Sequence, residues 1–356
     1  MTELQEILAL WYQENQRDLP WREDPTPYHV WLSEVILQQT RIIQGIDYYN
    51  RFINRWPELQ DLANATEEEV LKMWQGLGYY SRARNLHRCA QQVMERYNGV
   101  IPSDFKLIRE LAGIGDYTAS AIASIAYGLP FATVDGNVYR VLSRLFDIDT
   151  PINNREGIKL FAQLAEGLLD REHPGRHNQA LMEFGALHCL PQNPRCVSCP
   201  LQAHCLSFAH GTVNNRPQKE DKIKIRKRYL YYFVFRTDSQ QIGIKKRTGK
   251  DIWQNLYDFP VIESQEEKPV EELLNTLFTQ TQLSKENCII NSISKTYIHK
   301  LSHQTLMVKF IEIKFQGFLS IIQTKDILLV SEMELSKYPV PKLIENYFKT
   351  LTLKLS

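Results

Sequence analysis

The run LAGIGDYTASAIASIAYG, from Leu111 to Gly128, ends one helix, turns through Gly113-Ile114-Gly115 and begins a second helix near Asp116. Two glycines flanking one apolar residue let backbone amides face outward at a helix N-terminus, where the dipole and the free N–H groups accept phosphate oxygens. Such a grip positions a nucleic acid without reading its sequence. Taken alone, the pattern is equally a plain helix–helix turn whose glycines only cap. Around it the signal is helical from the start to about residue 206, with apolar residues at i, i+3, i+4 and i+7 in Leu4 to Tyr12, Trp31 to Phe52, Glu67 to Leu77, Ala83 to Tyr97, Val138 to Phe146 and Lys159 to Leu169. Thr118 to Tyr127 continues the hairpin's second helix.

Beyond the helix NQALMEFGALHC, four of the six cysteines crowd together: Cys189, Cys196, Cys199 and Cys205, spaced C-x6-C-x2-C-x5-C. Cys89 and Cys288 stand alone. The N-terminus carries acidic residues and helical periodicity rather than the basic region and small-residue cleavage site of a signal peptide. The most apolar stretch, Ala119 to Val134, is too broken by Gly128 and Pro130 to span a membrane. A reducing, cytoplasmic compartment and no membrane partner are therefore expected, and there crowded cysteines favour a metal or cluster over disulfides. Four thiolates suit either Zn²⁺ or a cubane iron–sulfur cluster. A structural zinc site usually has two short C-x2–4-C pairs, whereas only one pair is tight here.

With 42 Lys+Arg against 41 Asp+Glu, any affinity for nucleic acid has to come from local basic patches. At 356 residues and 43% hydrophobic content, two or three domains are expected. Residues 207–228 read as a linker, polar and then basic, with seven basic residues against two acidic from Arg216 to Arg228. That stripe is either a phosphate track or a solvated tether. Beyond it come β-rich runs, YLYYFVFRT, QIGIKKR and LMVKFIEIKF, with helical stretches at Val270 to Phe278 and Pro341 to Leu351, so residues 229–356 should be α+β.

Two carboxylates are candidates for chemistry. Asp135, in FATVDGNVYRVLSR, sits where an extended entry meets a helix, a place that equally suits an N-cap. Glu34, in YHVWLSEVILQQTRI, shares a helix face with Trp31, Leu37 and Gln38. A carboxylate on a largely apolar face is desolvated, its pKa rises and it can serve as a general acid near neutral pH. A lone Glu in an amphipathic helix is also commonly a solvated edge position.

These residues together resemble a known family. The hairpin, VDGNV about twenty residues after it, the cysteine spacing and WLSEVxLQQT are similar to the helix-hairpin-helix glycosylases of the endonuclease III and MutY type, and the resemblance covers nearly all of residues 1–206. It implies a multidomain fold: an all-α helix-hairpin-helix half with an iron–sulfur cluster loop, comprising a six-helix barrel module over about 27–138 and a cluster module from 1–26 plus 139–206. It also implies a [4Fe–4S] cluster on the four cysteines, with Arg195 of that loop near DNA phosphate. Asp135 would face the sugar and stabilise an oxocarbenium-like transition state. Glu34 would protonate an imidazole-ring nitrogen of adenine, whose bond breaks readily only when the base leaves neutral.

Where endonuclease III-like enzymes carry a lysine that attacks the sugar and cuts the strand, this chain has Tyr117, and LAGIGDYTAS contains no lysine. The resemblance therefore implies a monofunctional glycosylase, with Tyr117 bonded to Asp135 or the sugar region and Asn137 holding the water or the carboxylate. Tyr117 as simple packing is the alternative. By match to the family, Arg17, Trp21, Leu37 and Glu183 would line the pocket of a flipped adenine. Gln39 and Tyr79 would fill the stack beside it, Gly113, Gly115 and Thr118 would hold backbone phosphate, and Arg22, Arg82 and Arg84 would neutralise others. Core packing is an equal reading of Trp21.

Residues 229–356 resemble the Nudix-like domain of MutY proteins, including KKRTGKDIWQNLYDFP, but lack the G-x5-E-x7-R-E-x2-E-E run that binds catalytic metal. TYIHKLSHQTL carries His299, Ser302 and His303 where the family recognises 8-oxoguanine, with Leu301 replacing its usual phenylalanine. Two histidines near a serine in a strand-turn-strand are otherwise often surface residues. The implied partner is double-stranded DNA with adenine opposite 8-oxoguanine or guanine, bound by a monomer. The rival readings are a lyase acting on oxidised pyrimidines, a catalytically silent DNA-binding protein and a nucleotide-pool hydrolase. Tyr117, the retained Glu34 and Asp135, and the missing metal run speak against them in turn.

Overall fold

The computed structural model describes residues 2–220, 225–281, 285–316 and 326–352. The chain divides into two units, one of Met1–Asn64 with Asn85–Asp221 and one of Ala65–Arg84 with Lys222–Ser356. Among the described residues no helix is long and apolar enough to cross a membrane.

The described residues of the first unit form helices and turns without a strand. Helix Glu3–Asn15 turns Leu8, Trp11 and Tyr12 onto Val138, Val141 and Leu142 of helix Gly136–Leu145 and onto Leu181 and Phe184 of helix Pro174–Leu187. Full burial of side chains of this size contributes about 1.5–3 kcal/mol each. Local chemistry sets the starts: Pro20, Pro27 and Pro174 occupy first-turn positions, while Asp104, Asp135 and Asn154 accept hydrogen bonds from first-turn amides.

Two helices differ from the periodic reading. Trp31 to Phe52 is not continuous but splits into Pro27–Leu37 and Ile42–Arg55, because Gln39 adopts a left-handed φ of 58° through which an α-helix of L-residues does not run. The hairpin's second helix is α-helical over Asp116–Ala121 and then widens into a π turn over Ile122–Ala126. The start of helix Pro174–Leu187 lies against that turn, since a Cβ on Gly175 would meet the Ser124 carbonyl oxygen at 2.6 Å.

The polar stretch after residue 206 is not a free linker over its first half. Asp147 accepts from Ser207 Oγ at 3.1 Å, His210 Nδ1 at 2.8 Å and Thr212 Oγ1 at 2.6 Å, and pairs with Arg216 Nε at 3.0 Å. Ile152 N–H donates to the Gln218 carbonyl at 3.0 Å. Arg216 is thus committed to Asp147 rather than to a phosphate track, and Lys222 and Lys224 lie outside the described residues.

The second unit is a mixed sheet with a helix on each face. Its strands are β1 (Arg226–Thr237), β2 (Gln241–Lys246), β3 (Tyr257–Asp258), β4 (Val261–Ser264), β5 (Cys288–Ile293), β6 (Tyr297–Lys300), β7 (Gln304–Phe315) and β8 (Ile327–Ser331). The order is β3-β2-β1-β7-β5, with β4 beside β1, β6 beside β7 and β8 beside β2. β1 and β7 run parallel, in register from Arg226↔Gln304 to Thr237↔Phe315. Alternation along β1 sends Tyr231, Phe233 and Phe235 under Leu273, Leu274 and Leu277 of helix Val270–Thr281. Tyr232, on the other face, stacks on Phe310, which stacks at 3.8 Å on Tyr347 of helix Lys342–Thr352.

Segment 65–84 joins this unit although its periodicity matches the N-terminal helices. Thr66 and Glu69 close a capping box on helix Glu67–Met73. Glu68 accepts from Tyr257 OH at 3.0 Å, Lys72 Nζ donates to the Tyr338 carbonyl at 3.0 Å, and Arg84 Nη1 donates to the Gln254 carbonyl at 2.9 Å.

Candidate active site

In the helical unit, a cavity of about 530 Å³, within the size range of small-ligand sites, opens among the helices Pro27–Leu37, Asp116–Ala121, Gly136–Leu145 and Pro174–Leu187. Glu34, Tyr117, Asp135 and Asn137 all line it, with Arg17, Trp21, Leu37, Gln39 and Glu183. Four helices distant in sequence therefore bring the proposed acid, carboxylate and base-binding residues to one place.

Tyr117 OH donates to Glu34 Oε2 at 2.7 Å, rather than to Asp135, which the resemblance offers beside the sugar region, and also approaches Met182 Sδ at 3.4 Å. Hydrogen bonding to a buried carboxyl explains a buried phenol better than packing alone. Enclosure except toward the cavity raises the Glu34 pKa to about 7; the phenol's hydrogen bond opposes that shift and the Asp135 charge adds to it.

Asp135 caps helix Gly136–Leu145 and faces the cavity at once. Its Oδ1 accepts from Asn137 N–H at 2.9 Å and Val138 N–H at 2.8 Å, and its Oδ2 from Asn137 Nδ2 at 2.7 Å. Burial raises its pKa, and these donors oppose that effect by stabilising the anion. Asn137 is therefore a holder of the carboxylate.

Arg140 is a residue the sequence reading missed. Its guanidinium donates to Asn137 Oδ1 at 2.9 Å, to the Gly185 carbonyl at 2.6 Å and to the Cys189 carbonyl at 2.7 Å. Its spacing from Asn137, three residues on along one helix, was the available signal. Gly185 was missed as well: a Cβ there would meet Asn137 Cβ at 2.6 Å, so only glycine lets the two helices approach this closely.

On another wall Glu183 accepts both Nε and Nη2 of Arg17 at 2.7 Å and Arg22 Nη2 at 3.0 Å. Burial works to raise its pKa, but the two guanidiniums outweigh it and hold it near 2. Arg22 is thus a partner of Glu183 and not a free phosphate ligand. Trp21 is both wall and packing, with its ring 5.3 Å from that of Tyr49.

The hairpin forms as read. Gly113 has a φ of 75° and no room for a Cβ, which would lie 2.6 Å from Asn85 Cβ, while a Cβ on Gly115 would meet open space. The helix's first internal bond is Ala119 N–H to the Gly115 carbonyl, so the amides of residues 116–118 precede the ladder. The Thr118 side chain is buried and within 3.4 Å of Gln38 Nε2, which leaves its main chain for any phosphate contact.

Cys189, Cys196, Cys199 and Cys205 share one small cavity and are unpaired by disulfide. Arg144 Nη1 reaches Cys189 Sγ at 3.3 Å.

In the sheet unit, His299 lies on β6 with its ring 6.0 Å from Trp253, and burial lowers its pKa. Ser302 and His303 are exposed at the β6–β7 turn, which the Leu301 N–H closes by donating to the Gln304 carbonyl at 2.8 Å. Tyr79 follows Gly78 in a left-handed turn with a φ of 47°, and the Arg82 guanidinium lies over the Trp74 and Tyr79 rings. Arg82 and Arg84 are held by main-chain carbonyls within this unit. A larger cavity, about 770 Å³, also lies here. Its Arg228 and Arg247 are clamped on Asp251, Asp258 and Glu263, an ion-pair network that braces the sheet.

Residues 32–165 match the family model of HhH-GPD superfamily base excision DNA repair proteins, and residues 231–350 match that of the NUDIX domain. Fold and site thus define the class as helix-hairpin-helix base excision repair proteins. Over 304 residues the chain is 35% identical to the adenine DNA glycosylase of Buchnera aphidicola subsp. Baizongia pistaciae, covering 85% of this chain and 84% of that one. It is 30% identical over 352 residues to that of Buchnera aphidicola subsp. Acyrthosiphon pisum, covering 97% and 98% of the two chains. Over 233 residues it is 44% identical to the adenine DNA glycosylase of Mus musculus, covering 62% of this chain and 45% of that one. Among solved structures it resembles a thermostable thymine-DNA glycosylase, with a TM-score of 0.54 and 28% identity over 58% of this chain and 95% of that one. Endonuclease III in a non-covalent DNA complex shares the fold, at a TM-score of 0.51 and 23% identity over 59% of this chain and 95% of the other. The chain belongs to the adenine DNA glycosylase family.

Proposed function

We propose that this chain hydrolyses the N-glycosidic bond of adenine in double-stranded DNA, with that adenine opposite 8-oxoguanine or guanine, and leaves an abasic site in an uncut strand. The observation that carries the reading is the Tyr117–Glu34 hydrogen bond in a cavity that also holds the anchored Asp135. With Tyr117 donating to Oε2, Oε1 is left to carry the Glu34 proton, which passes to an imidazole-ring nitrogen of the flipped base. Asp135, fixed by three donors before substrate arrives, stabilises positive charge as it develops on the sugar. Tyr117 has no amine to form a Schiff base, so water completes the reaction.

Arg17, Glu183, Trp21 and Leu37 bound the adenine, Gln39 and Tyr79 fill the stack it leaves, and main-chain amides around Gly113, Gly115 and Thr118 hold the backbone. Ser302, His303 and His299 read the base opposite. The four cysteines, free thiols that line one small cavity and follow the spacing C-x6-C-x2-C-x5-C with a single tight pair, hold a [4Fe–4S] cluster. When bound, the cluster braces the loop 189–205, while Arg144 and Arg140 tie that loop to helix Gly136–Leu145. On this reading the protein acts as a monomer in the cytoplasm, nucleoid-associated if bacterial.

Single-turnover release from a labelled duplex with adenine opposite 8-oxoguanine tests this reading. Strand breakage only after alkali is the expected result. Spontaneous breakage on a thymine-glycol duplex, with adenine untouched, overturns it.

A further inference from the structure

Helix Gly136–Leu145 presents Arg144 to the four-cysteine loop, and the residue is buried, with 3% of its surface exposed. Its Nη1 donates to Cys189 Sγ at 3.3 Å and to the Leu190 carbonyl at 2.7 Å, and its Nη2 to the Pro191 carbonyl at 3.3 Å. Nε is shared between the Val213 and Arg216 carbonyls at 3.1 and 3.3 Å. The Arg144 carbonyl itself lies 3.4 Å from Cys205 Sγ, so one residue meets the first and the last cysteine of the run. Four carbonyls aim this guanidinium, but they are neutral and leave its charge uncompensated. Among the described residues no carboxylate lies within ion-pair reach of Arg144. Asp147, three residues on, is taken by Ser207, His210, Thr212 and Arg216. A buried cation without a counter-ion is costly, and the groups placed to offset it are the cysteine sulfurs it faces. The other basic residues near the loop differ: Arg140 meets the Cys189 carbonyl rather than its sulfur, and Arg195 is exposed.

We infer that the fixed positive charge of Arg144 raises the reduction potential of the four-cysteine site. The inference rests on the [4Fe–4S] reading of those cysteines. An electron added to the site makes it more negative, and a cation held at hydrogen-bond distance from a ligand sulfur favours that more negative state. Burial keeps water and salt from screening the charge. The four carbonyls keep it from swinging away when the site changes its own charge. Arg144 acts through Cys189 and touches no substrate, so it is a positioning residue.

The full chain and its Arg144→Gln and Arg144→Lys variants, each purified with its iron content measured, are compared by voltammetry at equal ionic strength. Glutamine can still donate to a carbonyl but carries no charge, so the potential of that variant should fall below the parent's. Lysine gives up the forked contacts yet keeps the charge, so its potential should stay close to the parent's. A merely structural role would move both variants alike, since both lose most of the carbonyl bonds. Equal shifts in the two variants, or an unchanged potential in Arg144→Gln, overturns the inference and leaves the cluster reading standing. Should Arg144→Gln lose its iron, Arg144→Lys decides alone, and a potential that falls there overturns the assignment to charge. A parent chain that holds zinc and no iron overturns the cluster reading and this inference together.

Discussion

Burial sets the working range of Glu34. With a pKa near 7, base release should fall as pH rises through about 7, because the acid form is lost. Tyr117→Phe removes the hydrogen bond that lowers this pKa, so the falling limb should move to higher pH in single-turnover profiles. Glu34→Gln should abolish release and leave duplex binding intact; normal release would remove Glu34 from its role. That variant also bears on stability. The folded pKa lies above the ordinary carboxylate value, so the folded state keeps a proton that the unfolded state gives up, and stability declines as pH rises from about 4.5 to 7. A neutral glutamine escapes that loss and should be more stable at pH 8 by about 2 kcal/mol, allowing for the side open to the cavity, as read by denaturant melts. Glu34 and Asp135 were legible in the sequence because their motifs are local. The partner of Tyr117 was not, since Glu34 lies 83 residues away and only packing decides which carboxyl the phenol meets.

Helices meet at the cavity through close approaches that a periodic pattern does not announce. Gly185→Ala places a methyl 2.6 Å from Asn137 Cβ and 3.0 Å from its carbonyl oxygen, so it should displace the holder of Asp135. Single-turnover release should fall at least about tenfold with little change in duplex affinity. Unchanged release would show that the Asn137 contact tolerates movement. The stretch after residue 206 has the composition of a linker, yet its hydroxyls, imidazole and guanidinium converge on Asp147, and the hydrogen bonds from Thr212 and His210 hold that carboxyl near pKa 2. Asp147→Asn should therefore loosen residues 207–216, read as faster limited proteolysis there; an unchanged cleavage pattern would mean that the remaining contacts suffice. The same stretch should loosen in the parent chain as pH falls through about 4 toward 2, where the folded carboxylate is lost. Polar composition shows that a segment can face water, but not whether one half-buried acceptor gathers it. Likewise, Trp31 to Phe52 keeps its apolar period straight through the left-handed Gln39 that breaks it.

At the scale of the molecule, the two cores were readable from the switch between 3.6- and 2-residue periods near residue 226, but membership in them was not. Glu67 to Leu77 has an apolar face like any N-terminal helix, and nothing local states which core that face will join. Segment 65–84 in fact belongs with the sheet. A chain cut at residue 221 should consequently weaken the sheet unit: fragment 222–356, without the segment whose Glu68, Lys72 and Arg84 bond Tyr257, Tyr338 and Gln254, should melt lower than the same unit in the full chain. Equal melting temperatures would show that the segment adds nothing to the sheet unit. The interleaving also has a consequence in time. During synthesis Arg84 emerges 170 residues before Gln254, the residue whose carbonyl it will hold. At ribosomal speeds of about 5–20 residues per second, that is roughly 10–30 s in which an early segment waits for a late one. Segment 65–84 is therefore made early and bonded late, its Glu68, Lys72 and Arg84 waiting for partners that lie in the last third of the chain.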